Sequence, residues 1–141
     1  MGRIIQQAIL QNTADVSAVQ AGYIDASQIR RLALELLVDT GAAMLCLPSD
    51  IIEELGLLKM HERQAITANG EVVASVYSPV RLQVHDREAD MNVMALPLGT
   101  PPLIGYLPLE TLDLYPNLQK QVLEGNPKYG GKMMMDLLTA L

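Results

Sequence analysis

Leu36-Leu37-Val38-Asp39-Thr40-Gly41-Ala42 decides how this chain is read. From Leu32 to Val38 every residue but Glu35 is apolar, as expected of a strand buried on both faces. That strand delivers a carboxylate, Asp39, into a tight turn of small residues. An Asp-Thr-Gly triplet arises by chance roughly once in several thousand positions, so its neighbours must decide its meaning. Taken alone, Asp39 also suits a turn aspartate that accepts hydrogen bonds from nearby amides.

Downstream, the apolar Leu45-Cys46-Leu47 leads into Pro48-Ser49-Asp50-Ile51-Ile52-Glu53-Glu54-Leu55-Gly56. This segment has helix punctuation at both ends, with Ser49 or Asp50 as N-cap and Gly56 as stop. Asn69-Gly70, between Ala65–Ala68 and Glu71–Ser78, signals a hairpin because both residues tolerate positive φ. Val80–Val84 and Met91–Leu96 read as a further strand pair around a charged turn, His85 to Asp90. After a proline-rich connection, Leu103-Ile104-Gly105 reads as a short strand broken by glycine. It leads into a second short helix, Tyr106 to Leu112, with Pro108 in its first turn.

Upstream of the aspartate, Ile4–Leu10 reads as a first strand closed by Asn12-Thr13, and 14–28 has no decisive pattern. The region up to Glu124 has room for one more strand or hairpin. Gly125 to Gly131 is loop-like, and the stretch from Lys132 either caps a neighbour or frays. No linker or internal repeat marks a second domain, so one domain is expected over residues 1–141.

Composition narrows the function. The 141 residues are half hydrophobic but include no Trp, no Phe and five Tyr, so the core must be aliphatic. A net charge of -6 with no basic cluster disfavours nucleic acid as a partner. No segment approaches the roughly 20 apolar residues of a membrane span, nor does Met1-Gly2-Arg3-Ile4-Ile5-Gln6-Gln7 resemble a signal peptide. A soluble, cytoplasmic protein without membrane contacts is expected. The positive mean hydropathy suggests that self-association covers some apolar surface. Cys46, the single cysteine, rules out an internal disulfide and reads as a small buried hydrophobe. His61 and His85 lack the spacing of metal ligands, and neither a metal nor another cofactor is expected. Glu53 and Glu54 read as the solvated face of a helix, and Met133-Met134-Met135 as a greasy tail that packs on a partner subunit.

The ordered set resembles the retropepsin-like aspartic proteases, and most closely their bacterial members. Its parts are an apolar strand into Asp39-Thr40-Gly41-Ala42, a Pro-started helix ending in Leu55-Gly56-Leu57, a central flap hairpin, and the Leu103-Ile104-Gly105 strand entering a helix. The resemblance runs from about Arg30 to Glu124. It implies an all-β fold: a closed barrel of the acid-protease kind with one or two short helices and one lobe per chain. The two-lobed relatives carry two such signatures and this chain carries one, so the resemblance implies a homodimer. It further implies an aspartic endopeptidase in which Asp39 of each subunit activates water against a peptide or protein substrate. Thr40 would lock the two aspartate loops together, and Gly41 would let the backbone approach substrate. Ala68, Asn69 and Gly70 would form the flap tip, while Leu103, Ile104 and Gly105 would pass beside the aspartate loop. The chain ends, which the resemblance does not cover, often build the dimer interface in that family. The alternative function is an inactive module of the same fold that dimerises or binds peptide.

Overall fold

The computed structural model describes residues 3–138. Among these residues nine strands form: β1 (Ile5–Asn12), β2 (Arg31–Val38), β3 (Leu45–Pro48), β4 (Lys59–Thr67), β5 (Gly70–Val84), β6 (Arg87–Leu96), β7 (Leu103–Ile104), β8 (Tyr115–Asn117) and β9 (Val122–Glu124). Three short α-helices join them: α1 (Thr13–Gln20), α2 (Ser49–Glu54) and α3 (Tyr106–Leu112), with single 3-10 turns at Ala26–Gln28 and Pro127–Tyr129.

Period-two alternation turns one face of these strands inward. Ala8 and Leu10 of β1, Leu36 of β2, and Val80, Leu82 and Val84 of β5 are buried on that face. They meet Leu45 and Leu47 of β3, Val93 of β6 and Ile104 of β7 in one aliphatic core. A small barrel has just enough interior for such side chains, which explains why this chain manages without large aromatics.

Seven strands hydrogen-bond in the order β1-β2-β7-β3-β6-β5-β4, and β1 also pairs with β5. That extra pairing, from Ile9↔Gln83 to Asn12↔Val80, closes six of the strands into a ring and leaves β4 outside it as the outer arm of a hairpin. The β2–β7 and β3–β6 pairs are parallel, while β3–β7 is antiparallel. The fold is therefore a single-lobed, all-β barrel of the retropepsin-like kind.

Several local expectations change. β2 is not buried on both faces: Arg31, Ala33 and Glu35 are exposed, because the outside of a closed barrel faces solvent. The charged turn shrinks to His85-Asp86, with His85 at φ 55°, and Arg87–Asp90 already belong to β6. The segments before and after Ser78-Pro79 form one long strand, β5, with an irregularity between Tyr77 and Val80. Pro48 occupies the N-cap position of α2 and no side chain caps it, whereas Gly56, at φ 67°, does end the helix.

The undecided region 14–28 contains α1. Its N-cap is Asn12, whose Oδ1 accepts from the amides of Ala14 (3.0 Å) and Asp15 (3.3 Å). Asn12 is buried, and its Nδ2 donates to the carbonyl of Leu55 at 2.9 Å, tying α1 to α2. Asp15 holds Arg30 in a bidentate pair, both contacts 2.9 Å, and accepts the Arg30 amide as well. The final hairpin, β8–β9, forms its own small sheet. Beyond it, Met133, Met134 and Met135 are exposed, and residues 139–141 of the terminal stretch lie outside the described residues.

Candidate active site

The aspartate loop is suspended between the first and seventh strands. At the end of β2, the amide of Leu37 donates to Pro102, that of Val38 to Ile4, and that of Asp39 to Ile104, at 2.9, 2.9 and 3.0 Å. Asp39 thus leaves the barrel rim with its backbone fixed on both sides. The chain then turns back, with the Ala42 amide donating to the Asp39 carbonyl at 3.1 Å. Within the turn, Asp39 Oδ1 accepts the Gly41 amide at 2.9 Å. An ordinary turn aspartate makes the same bond, so the wider setting is what sets Asp39 apart.

The Leu103-Ile104-Gly105 segment provides much of that setting. Leu103 and Ile104 pair in parallel with Leu37 and Val38, and on their other side antiparallel with Cys46 and Leu45. Three successive amides, of Gly105, Tyr106 and Leu107, donate to the carbonyls of Met44 (3.0 Å), Ala42 (2.9 Å) and Ala43 (2.9 Å). The loop after the aspartate is therefore pinned to the start of α3. Gly105 has φ -88°, which any residue can adopt, so sterics and not conformation require glycine here. A Cβ at this position would lie 2.5 Å from the Ala42 carbonyl oxygen and 2.6 Å from the Ala43 carbonyl carbon.

Asp39 and Ala42 are half-buried, while Thr40 and Gly41 are exposed. Asp39 and Thr40 border a groove of about 330 Å³ whose other walls include Ile4, Leu37 and Leu118. Gly41 and Ala42 instead border a cleft of about 1070 Å³. The loop is the divide between the two. Met91 and Met94 of β6 and Tyr106 and Leu107 of α3 also line the cleft. Cys46 lines it too, but its thiol is buried and donates to the Met44 carbonyl at 3.5 Å. Burial, reinforced by the negative charge of Asp39, pushes this thiol up to about 11, which removes it as a nucleophile near neutrality.

The β4–β5 hairpin forms the remaining wall of the cleft. Directly opposed residues of an antiparallel pair share a face. His61↔Val76, Arg63↔Ala74, Ala65↔Val72 and Thr67↔Gly70 therefore lie together, and burial of Val76 identifies this face as the inner one. Ala68 and Asn69 make the turn, and only Gly70, at φ 106°, uses a positive φ. The hairpin is where the sequence indicated, but its turn begins one residue earlier. Thr67 secures the tip, its hydroxyl accepting the Asn69 amide at 3.2 Å and donating to the Gly70 carbonyl at 2.9 Å. Ala68, Asn69 and Gly70 themselves lie beyond the residues that line the cleft.

The structure thus brings Asp39, Thr40, Gly41 and Ala42 together with Leu103, Ile104 and Gly105, and leaves the hairpin tip at a distance along β4 and β5. Sequence reading did not single out Arg63, Met91, Met94, Tyr106 or Leu107 as cleft residues. For Arg63 a usable signal existed, since the period-two pattern of β4 puts it on the same face as Ala65. For the methionines none did.

The model of the aspartyl protease family matches residues 24–108, more than half of the chain. No curated protein matches it significantly. The matched stretch begins before β2, contains the aspartate loop, the β4–β5 hairpin and the Gly105 crossing, and ends within α3. These are the elements that the barrel assembles around its one Asp-Thr-Gly turn, and by this match the chain belongs to the aspartyl protease family.

Proposed function

We propose that this chain is an endopeptidase that works as a homodimer, with one Asp39 from each subunit at the two-fold axis. The observation that carries the reading is Asp39 itself: the carboxylate of the chain's one Asp-Thr-Gly turn, at a barrel rim, with its backbone and one oxygen already fixed. Two such carboxylates brought within hydrogen-bonding distance cannot both ionise cheaply, so they share one proton. The ionised partner takes a proton from water, which attacks the peptide carbonyl, while the protonated partner donates to the carbonyl oxygen. Collapse of the tetrahedral adduct then returns a proton to the departing amine, with no covalent intermediate and no cofactor.

The Gly41 amide suits this role because it engages Oδ1 and leaves Oδ2 for the water. Thr40, exposed beside the aspartate, is assigned to the contact between the two loops. Apolar Leu37, Val38 and Leu118 border the same groove as Asp39 and support pairing of two copies there. The hairpin tip, Ala68-Asn69-Gly70, is assigned to the flap that covers an extended peptide and excludes water. Leu103, Ile104 and Gly105 hold the loop rather than touch substrate.

The test is cleavage of an unbiased peptide library by the wild type and by Asp39→Asn, at acidic to neutral pH and over a range of protein concentrations. Cleavage should vanish in Asp39→Asn, fall steeply on dilution of the wild type, and ignore chelators. Cleavage that survives Asp39→Asn but is lost on chelation refutes the reading. Silence of both proteins with the dimer intact points instead to a peptide-binding module.

A further inference from the structure

Within the cleft, Arg63 is the one charged residue among the described lining residues; its neighbours are apolar or neutral polar. It lies on the inner face of the hairpin, opposite Ala74 and beside Ala65. The ion pairs among the described residues join Asp15 with Arg30, Lys59 with Glu62, and Arg81 with Glu88 and Asp90, and none engages Arg63. In the open cleft its guanidinium is hydrated. A hairpin that closes over a peptide strips away that water, which is costly unless a carboxylate replaces it. Guanidinium binds carboxylate through a planar, two-pronged contact that a neutral side chain cannot supply.

We infer that Arg63 sets the substrate specificity of this cleft, selecting extended apolar peptides that carry an acidic side chain to one side of the scissile bond. The inference rests on the endopeptidase reading, because it takes the hairpin tip to lie over the aspartates. Arg63 precedes Thr67 by four residues of β4. At about 3.3 Å per residue this puts it about 13 Å from the Thr67↔Gly70 pair at the base of the tip, and a substrate extended along the hairpin covers that distance in about three to four residues. The acidic residue therefore belongs three or four positions from the bond that is cut. Two-fold symmetry offers a second such site on the other side.

The experiment compares matched apolar peptides with Glu, Gln or Lys at those positions as substrates of the wild type, Arg63→Gln and Arg63→Glu. The same peptides, labelled, are titrated by fluorescence anisotropy into Asp39→Asn, with and without each Arg63 change. Arg63 is exposed, so these variants should fold, and circular dichroism checks that they do. The wild type should favour Glu over Gln by about tenfold in kcat/KM, as expected of one charge-assisted contact. Arg63→Gln should erase the preference and Arg63→Glu should turn it toward Lys. Cleavage without a Glu preference, or with one that persists in Arg63→Gln, overturns the inference and leaves the endopeptidase standing. Arg63-dependent binding without any cleavage does the reverse: it supports Arg63 as the selecting residue and removes the endopeptidase. If the peptides are neither cut nor bound, both fall.

Discussion

Gly105→Ala should cost this protein stability out of proportion to the size of a methyl group. Its new Cβ would sit 2.5 Å from the Ala42 carbonyl oxygen, where ordinary contact begins near 3.4 Å, and 2.6 Å from the Ala43 carbonyl carbon. Neither obstacle is a side chain that can swing away. Both belong to backbone whose carbonyls accept 2.9 Å hydrogen bonds from Tyr106 and Leu107. Making room means moving α3 and the aspartate loop apart by about 0.9 Å, which strains those bonds. Overpacking of this kind costs about 1–3 kcal/mol, and weakening one or two hydrogen bonds brings the total to about 2–4 kcal/mol. With a urea m-value of about 1–2 kcal/mol/M for a domain this small, the midpoint should fall by about 2 M. The chain has no Trp, so far-UV circular dichroism is the appropriate probe. Gly41→Ala is the informative contrast. Its Cβ would lie 3.1 Å from Asp39 Oδ1, a side-chain atom that can move. Stability should drop by less than about 1 kcal/mol, while peptide cleavage is lost because the carboxylate has been displaced. A Gly105→Ala midpoint equal to that of the wild type, or a larger loss of stability in Gly41→Ala, would refute the reasoning.

Two further outcomes follow from the titratable groups. Cys46, with its thiol pushed up to about 11 from an ordinary 9.0, should react with a thiol reagent at neutral pH at least about a hundredfold more slowly in the folded protein than in urea. Stoichiometric labelling on mixing would contradict its burial. Asp15 is held below the ordinary aspartate value of 3.8, chiefly by the Arg30 side-chain hydrogen bond, which outweighs the opposing effect of burial. A depressed carboxylate contributes stability above its unfolded pKa and loses it as pH falls through the folded one. Asp15→Asn should therefore cost roughly 1 kcal/mol at neutral pH, a figure kept small because Arg30 is half exposed. The gap to the wild type should close below about pH 4, and a gap in urea midpoint that persists undiminished into stronger acid would show the pair to be irrelevant.

What could be read from the sequence was whatever a few neighbouring residues decide among themselves. The Asp39 turn, the hairpin around Asn69-Gly70 and the Gly56 stop are each specified by backbone preferences within a turn's length, and each appears within one residue of where its sequence indicates. Ring closure is different. It depends on β1 meeting β5 some seventy residues later, and nothing in Ile9 or Gln83 announces the other. The reading of β2 as buried on both faces failed for the same reason, since exposure of Ala33 is a property of the closed ring and not of the strand.

Arg87 shows how far this goes. Four charged residues in the run 85–90 suggested a solvated turn. Yet Arg87 is only 7% exposed, and its guanidinium donates to the carbonyls of Leu112, Asp113 and Gly131. A buried guanidinium needs acceptors on several sides, and three different backbone positions supply them here. The result is a clamp that fastens the end of α3 and the segment after β9 to the start of β6. Because α3 in turn pins Ala42 and Ala43, Arg87 supports the aspartate loop through a chain of backbone contacts that begins far from it in sequence. The site is legible in its chemistry, which a short motif carries, and illegible in its scaffolding, which exists only once the barrel has closed.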